Sequence, residues 1–117
     1  MIVSIIGLGY IGLPTAAVLA SKNIQVVGVD VSQYVVDTIN QGKIHIIEPG
    51  LDVLVREAVQ KNHLKAVINP EKADIFMIAV PTPFKGNHEP DLSYIRLAAK
   101  AIAPVLEKGN LVILEST

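Results

Sequence analysis

The residues best placed to do chemistry lie near the start of the chain. Gly7-Leu8-Gly9-Tyr10-Ile11-Gly12 follows directly on the apolar run Ile2–Ile6. Asp30 comes eighteen positions after Gly12 and closes a second apolar run, Val26-Val27-Gly28-Val29. Glycines at this spacing suit a backbone that must let an anion come close. Gly7 permits a tight turn out of a strand. Gly9 leaves room for a pyrophosphate against the main chain. Gly12 lets the following helix lie close on a sheet. The unpaired N–H groups and positive dipole end of that helix then face the phosphates. An acid at the end of the second strand can accept hydrogen bonds from the adenosine ribose hydroxyls.

A glycine triplet alone arises by chance. Here the strand before it, the helix pattern after it and the spaced acid agree. The acid also selects between cofactors, because a carboxylate repels a 2′-phosphate. Val31, Ser32, Gln33 and Tyr34 follow it, and none is the arginine that would hold such a phosphate. NAD is therefore the expected cofactor, rather than NADP.

These residues need a scaffold, and the rest of the chain supplies one. Strand and helix patterns alternate throughout, which predicts an α/β fold with a doubly wound parallel sheet. Ile2–Ile6 reads as the first strand and Tyr10 to about Ala20 as the first helix, packing through Leu13, Ala16, Ala17 and Ala20. Pro14 lies near its start, where a missing N–H costs least. Gln25–Asp30 is the second strand. Ser32 can cap a helix over Gln33–Asn40, and Gly42 stops it. Glu48-Pro49-Gly50 is a turn before a helix over Leu51–Lys61. Short strands are predicted at Lys65–Ile68, Ile75–Val80 and Leu111–Leu114. The longest helix is predicted from Leu92 to about Leu106, with Ile95, Ala98, Ala99 and Ile102 on one face.

The connection Pro81–Asp91 is long and holds three prolines. It leaves the carboxyl end of a central strand, where doubly wound sheets bind ligands. A stiff loop there loses little entropy on ordering and can wall a cofactor site. Pro81 and Thr82 are accordingly candidate cofactor contacts, with the Thr82 hydroxyl near the nicotinamide-side ribose. His45, His63 and His88 show no metal-ligand spacing, and no metal site is expected. A solvated structural role is expected for His63, and a turn role for Glu48. Lys85 could meet a phosphate, although a lone loop lysine is more often solvated.

Composition narrows the class. Half of the 117 residues are hydrophobic, enough for one domain whose sheet is covered on both faces. Only 4% are aromatic, so Val, Ile, Leu and Ala must build the core. The net charge of −1 gives no basic excess to attract nucleic acid or an anionic membrane. There is no cysteine, hence no disulfide framework and no thiol-ligated metal. No apolar run reaches the length of a membrane span. A soluble cytoplasmic protein is the simplest expectation. The chain stops just past the strand Leu111–Leu114, so residues 1–117 are expected to be a piece of a longer protein.

The chain resembles the UDP-glucose/GDP-mannose dehydrogenase family from end to end. The resemblance is carried by Val3–Pro14, Gly28-Val29-Asp30, Glu48-Pro49-Gly50-Leu51, Pro81-Thr82-Pro83, Pro90–Tyr94 and Glu115-Ser116-Thr117. Thr38–Ile46 and Ala79–Asp91 resemble the branch that acts on UDP-N-acetyl-D-mannosamine. UDP-glucose enzymes generally have a shorter loop, from which Phe84–Glu89 departs.

The resemblance implies oxidation of a sugar C6 hydroxyl to a carboxylate, with two NAD, through a cysteine thiohemiacetal and thioester. It also implies that Tyr10 and Ile11 contact the pyrophosphate, Asp30 the adenosine ribose and Thr82 the cofactor. Thr117 would position a catalytic water. The cysteine, a lysine and most substrate contacts would lie in central helical and C-terminal domains beyond residue 117. A UDP-linked sugar and a homo-oligomeric full-length enzyme would be the partners, and surface polysaccharide the destination. The family commonly has a basic residue shortly after the acid; Gln33 and Tyr34 stand there instead. A UDP-glucose or other UDP-N-acetylhexosamine 6-dehydrogenase, a β-hydroxyacid dehydrogenase and a non-enzymatic NAD-sensing regulatory domain are the alternatives. The last would carry a Gly-Asp pair where Asn69-Pro70-Glu71 stands.

Overall fold

The computed structural model describes residues 1–115. Five strands form one parallel sheet: β1 (Ile2–Ile6), β2 (Gln25–Val29), β3 (Leu64–Val67), β4 (Ile75–Ile78) and β7 (Leu111–Leu114). Their order is β3-β2-β1-β4-β7. The order reverses between β1 and β4, which opens a crevice at their carboxyl ends. The expected α/β doubly wound sheet is thus observed.

The strands alternate which layer they feed. Val3 and Ile5 of β1 and Val26 of β2 pack with helices α1 (Gly12–Ser21), α2 (Gln33–Asn40) and α3 (Leu51–Gln60). Ile6, Val27, Val29, Phe76 and Ile78 pack on the opposite face with Ala98 and Ile102 of α4 (Ser93–Ile102). The period of two along a strand makes this division, and both layers are needed to cover an all-parallel sheet.

Local signals in the chain explain most boundaries. The Ser32 hydroxyl accepts the Val35 N–H at 3.3 Å and caps α2. Gly42, at φ +76°, ends it. The Gly42 N–H donates to Ile39 and the Lys43 N–H to Thr38, the paired bonds of a glycine-terminated helix. Gly50, at φ +82°, completes the Glu48–Leu51 turn. Along α1 the expected packing residues Leu13, Ala16, Ala17 and Ala20 are all buried.

Several boundaries differ from expectation: β2 ends at Val29 rather than Asp30, and α4 begins at Ser93 rather than Leu92. Helix α1 starts at Gly12 rather than Tyr10, because the chain is still turning through Gly9–Ile11; the Leu13 N–H makes an early helical bond, to Gly9. Strand β3 sits one residue earlier than predicted, over Leu64–Val67. Strand β4 ends at Ile78, where its ladders to β1 and β7 both end, so Ala79 and Val80 are free to line the crevice. Helix α4 gives way to a 3-10 turn over Ala103–Val105, since Pro104 has no N–H to continue the α pattern. Ala99, expected on its packed face, is exposed.

The proline-rich connection is also more ordered than a loop. Strands β5 (Phe84–Lys85) and β6 (Glu89–Pro90) pair antiparallel. Asn87 and His88 carry φ of +55° and +61°, and the Glu89 N–H donates to Gly86. Positive φ at both central residues gives the hairpin turn whose twist matches its strands.

Candidate functional site

Four residues stand side by side because each is the first beyond a parallel strand. Gly7 N–H donates to Val29, Asp30 N–H to Val67, Ala79 N–H to Ile6 and Glu115 N–H to Ile78, at 2.8–3.1 Å. The sheet register thereby sets the glycine turn between Asp30 on one side and Ala79 and Glu115 on the other.

The turn itself accepts only glycine at two places. Gly7 has φ +98°, and a Cβ on it would lie 2.8 Å from the Ala79 carbonyl oxygen. A Cβ on Gly12 would run into the Gly7 carbonyl and press on Ala79 Cβ. Gly9 is different. A Cβ there would meet nothing within 4 Å, so the space above it is open. Helix α1 begins with no side-chain cap and no acid in its first turn. Within its first turn the Leu13 and Thr15 N–H groups bond to Gly9 and Ile11 and Pro14 has none, so the N–H groups left for a ligand are those of the turn entering the helix, up to Gly12.

Around the turn is a cleft of about 390 Å³, lined by Gly7–Ile11, Ala79–Pro83 and Glu115. Tyr10 is exposed at its rim, while Ile11 and Thr82 are half-buried. A second, more apolar cavity of about 440 Å³ lies between the ends of β1, β2 and β4 and the flank of α4. Asp30, Val31, Ile68, Tyr94 and Leu97 line it. The two share Gly7, Val80 and Pro81. Together they form one cleft along the carboxyl ends of the strands, joined at these three residues. No lysine or arginine lines either cavity among the described residues. Phosphate charge would fall on backbone N–H groups and the helix dipole.

Asp30 is half-buried and already engaged. Its Oδ2 accepts the Leu8 N–H and its Oδ1 the Ser32 N–H, both at 3.0 Å. It therefore ties the glycine turn to the start of α2. Each carboxylate oxygen has a second lone-pair site, so acceptors for ribose hydroxyls remain.

The structure adds residues that the sequence analysis passed over. Leu8 is 1% exposed and sits against Gly28, where any Cβ would lie 2.8 Å from Leu8 Cδ2. A glycine inside a strand was the available signal of such an approach. Glu115 follows β7 as Asp30 follows β2, yet only its place in the sheet brings it to the cleft. Tyr94 and Leu97 reach the site from α4, 60 positions beyond Asp30 and more, and no local pattern announces them.

Other candidates lie apart from it. Lys85 lines a shallow groove with Glu89, Asp91 and Arg96. His88 packs edge-on to Phe84, 6.1 Å between ring centres. His63 hands its backbone carbonyl to Val26 N–H, a structural part. Exposed Glu48 is in the turn expected of it. His45 belongs to the loop before that turn, and its Nδ1 is buried with no partner among the described residues. Among those residues no group of three or more metal-ligating side chains comes together. Thr117 lies outside the described residues.

A family model described as the NAD binding domain of the UDP-glucose/GDP-mannose dehydrogenase family matches residues 1–117. The chain belongs to this family. Its sequence is 68% identical to a UDP-N-acetyl-D-mannosamine dehydrogenase of Campylobacter jejuni over 98% of the chain and 28% of that protein. It is 65% identical to an NDP-N-acetyl-D-galactosaminuronic acid dehydrogenase of Ralstonia nicotianae, over 98% of the chain and 27% of that protein. Among solved structures, the UDP-N-acetyl-mannosamine dehydrogenase Cap5O of Staphylococcus aureus matches with a TM-score of 0.97 at 41% identity, over the whole chain and 29% of its own. The family domain is NAD-binding, in agreement with the cofactor expected from Asp30. The chain spans little more than a quarter of these relatives. No helix among the described residues is long and apolar enough to cross a membrane.

Proposed function

We propose that the chain is the cofactor-binding part of a nucleotide-sugar 6-dehydrogenase. The full-length enzyme oxidises UDP-N-acetyl-D-mannosamine to the corresponding uronate with two NAD. One observation carries the cofactor half of this proposal: the open space over Gly9, at the uncapped start of α1 and beside Asp30. The substrate half draws on the 68% identity to a UDP-N-acetyl-D-mannosamine dehydrogenase.

Gly7 and Gly12 hold the turn, Gly9 admits the pyrophosphate, and the N–H groups at the entry to α1 bind it. Tyr10 and Ile11 flank the same ligand segment. Asp30 takes the adenosine ribose and disfavours a 2′-phosphate. Pro81 and Thr82 wall the middle of the cleft, with the Thr82 hydroxyl toward the nicotinamide ribose. Thr117 positions the catalytic water. When bound there, NAD would supply the acceptor for a hydride from the sugar C6. Domains following residue 117 supply the cysteine, the lysine and the sugar-binding surface. The enzyme is cytoplasmic and homo-oligomeric, and its uronate product feeds surface polysaccharide.

A second substrate has its own support. The 65% identity to an NDP-N-acetyl-D-galactosaminuronic acid dehydrogenase favours an N-acetylgalactosamine configuration almost as strongly. Initial rates of NADH formation by the full-length enzyme distinguish the substrates. UDP-N-acetylmannosamine should exceed UDP-N-acetylgalactosamine and UDP-glucose in kcat/KM. A preference for UDP-glucose would overturn the substrate assignment. The 117-residue chain alone should form no NADH, because the sugar must be held about 3–3.5 Å from the nicotinamide by other domains.

A further inference from the structure

Glu115 is a carboxylate in a cleft that otherwise suits phosphates. It is half-buried, lines the glycine-turn cavity and lies just beyond β7. Its Oε2 is buried and has no hydrogen-bond partner among the described residues. Its Oε1 is 3.3 Å from Thr15 Oγ1, but that hydroxyl is also 3.0 Å from the Ile11 carbonyl. A hydroxyl has one hydrogen to donate. When it goes to Ile11, the nearer acceptor, neither carboxylate oxygen has a donor from these neighbours. An ionised group left so in a partly buried site calls for a donor or a positive charge from elsewhere.

The sheet order says which part of a ligand could provide it. Asp30 and the larger apolar cavity lie on the β2 side of the glycine turn, and Glu115 lies on the β4–β7 side. With the proposed NAD laid along this cleft, adenosine occupies the first side and nicotinamide the second. Glu115 cannot face the pyrophosphate without repulsion. The nicotinamide half offers what it lacks: carboxamide N–H and ribose O–H donors, and a ring that is cationic when oxidised and neutral when reduced.

We propose that Glu115 is a cofactor-selecting residue. It accepts a hydrogen bond from an N–H or O–H donor of the nicotinamide half, and it holds oxidised NAD more tightly than NADH. This rests on the proposed cofactor placement and goes beyond it. The consequence concerns turnover. An enzyme that consumes two NAD in succession must release NADH between its two oxidations, and a fixed negative charge beside the ring favours that exchange.

The test is equilibrium binding to the full-length enzyme, by calorimetry for NAD and by fluorescence for NADH. In Glu115→Gln the preference for NAD over NADH should fall by roughly three- to tenfold, from loss of a charge screened at intermediate dielectric. Glu115→Asp keeps the charge but withdraws it by one methylene, so the ratio should fall only part of the way. The Asp variant carries the test alone if the Gln variant does not fold. An unchanged ratio in a folded variant overturns the proposal and makes Glu115 a structural partner of Thr15. Absence of NAD binding to the wild type would instead overturn the cofactor reading. The 3-acetylpyridine analogue of NAD has no carboxamide N–H. Its oxidised ring is still cationic, so Glu115→Gln should weaken it as well: less than it weakens NAD if the carboxamide is the donor, and as much if the ribose hydroxyl is.

Discussion

Replacing Asp30 by alanine should have two separable consequences. The first is on stability. Asp30 accepts the N–H groups of Leu8 and Ser32, each at 3.0 Å. Leu8 is 1% exposed, so little water can replace the lost acceptor. An orphaned buried donor costs about 1–3 kcal/mol. Ser32 is half-buried beside the start of α2, and losing that bond adds about 1 kcal/mol. A total of about 2–4 kcal/mol corresponds to a fall in Tm of roughly 8–15 °C for a domain of this size. The second consequence is on cofactor choice. Without the carboxylate a 2′-phosphate is no longer repelled, and the preference for NAD over NADP should narrow by about tenfold or more. Asp30→Asn separates the two. Its side-chain oxygen can still accept one N–H, so it should melt between wild type and Asp30→Ala, while losing as much cofactor discrimination. Thermal melts and calorimetric titrations with both cofactors provide the readout. The reasoning is refuted if the wild type prefers NADP, or if Asp30→Ala melts like wild type.

Two glycines of one turn should fail differently. Gly9→Val should fold, since nothing lies within 4 Å of the added Cβ, yet lose NAD binding, as checked by circular dichroism and calorimetry. Gly12→Ala should be destabilised by roughly 3 kcal/mol or more in denaturant melts, because its Cβ meets the Gly7 carbonyl and both groups are backbone. Asp91 should contribute to acid sensitivity: the Ser93 hydroxyl, then the Ser93 N–H, hold its carboxyl below the ordinary 3.8. A lowered folded pKa stabilises fully above the unfolded value and is lost as pH falls through the folded one. Stability of Asp91→Asn should therefore fall less steeply than wild type below about pH 4, as measured by urea melts across that range.

Much of the molecule is legible in its sequence, and the reason is local. A strand, a turn that only glycine can make and a helix that starts uncapped are written within the first twenty residues. Ser32 and Gly42 mark the two ends of α2, and Gly50 the start of α3, through side-chain capping and positive φ, which depend on the residue itself. The parallel class followed from alternation of apolar runs with helical periodicity. What stayed hidden depended on partners distant in sequence. Strand β4 was expected to run on to Val80, but strand length is set by where its neighbours stop pairing, at Ile6 and Leu114. The hairpin at Phe84–Pro90 was hidden by its prolines, although Asn87 could carry the positive φ it needs.

The site divides along the same line. The chemistry of the glycine turn and the presence of an acid at Asp30 are properties of residue type and spacing. That Asp30 holds the Leu8 N–H, that Leu8 fills the space above Gly28, and that Tyr94 and Leu97 wall a cavity are properties of the sheet order. Glu115 is the clearest case. In the sequence it is one acid after an apolar run. Parallel pairing of β4 with β7 brings it beside the turn, 100 positions from Thr15. Short-range sterics and hydrogen bonding act within a few residues and leave their marks in the sequence. Burial and charge placement depend on which strands become neighbours, and that is decided only when both faces of the sheet are covered at once.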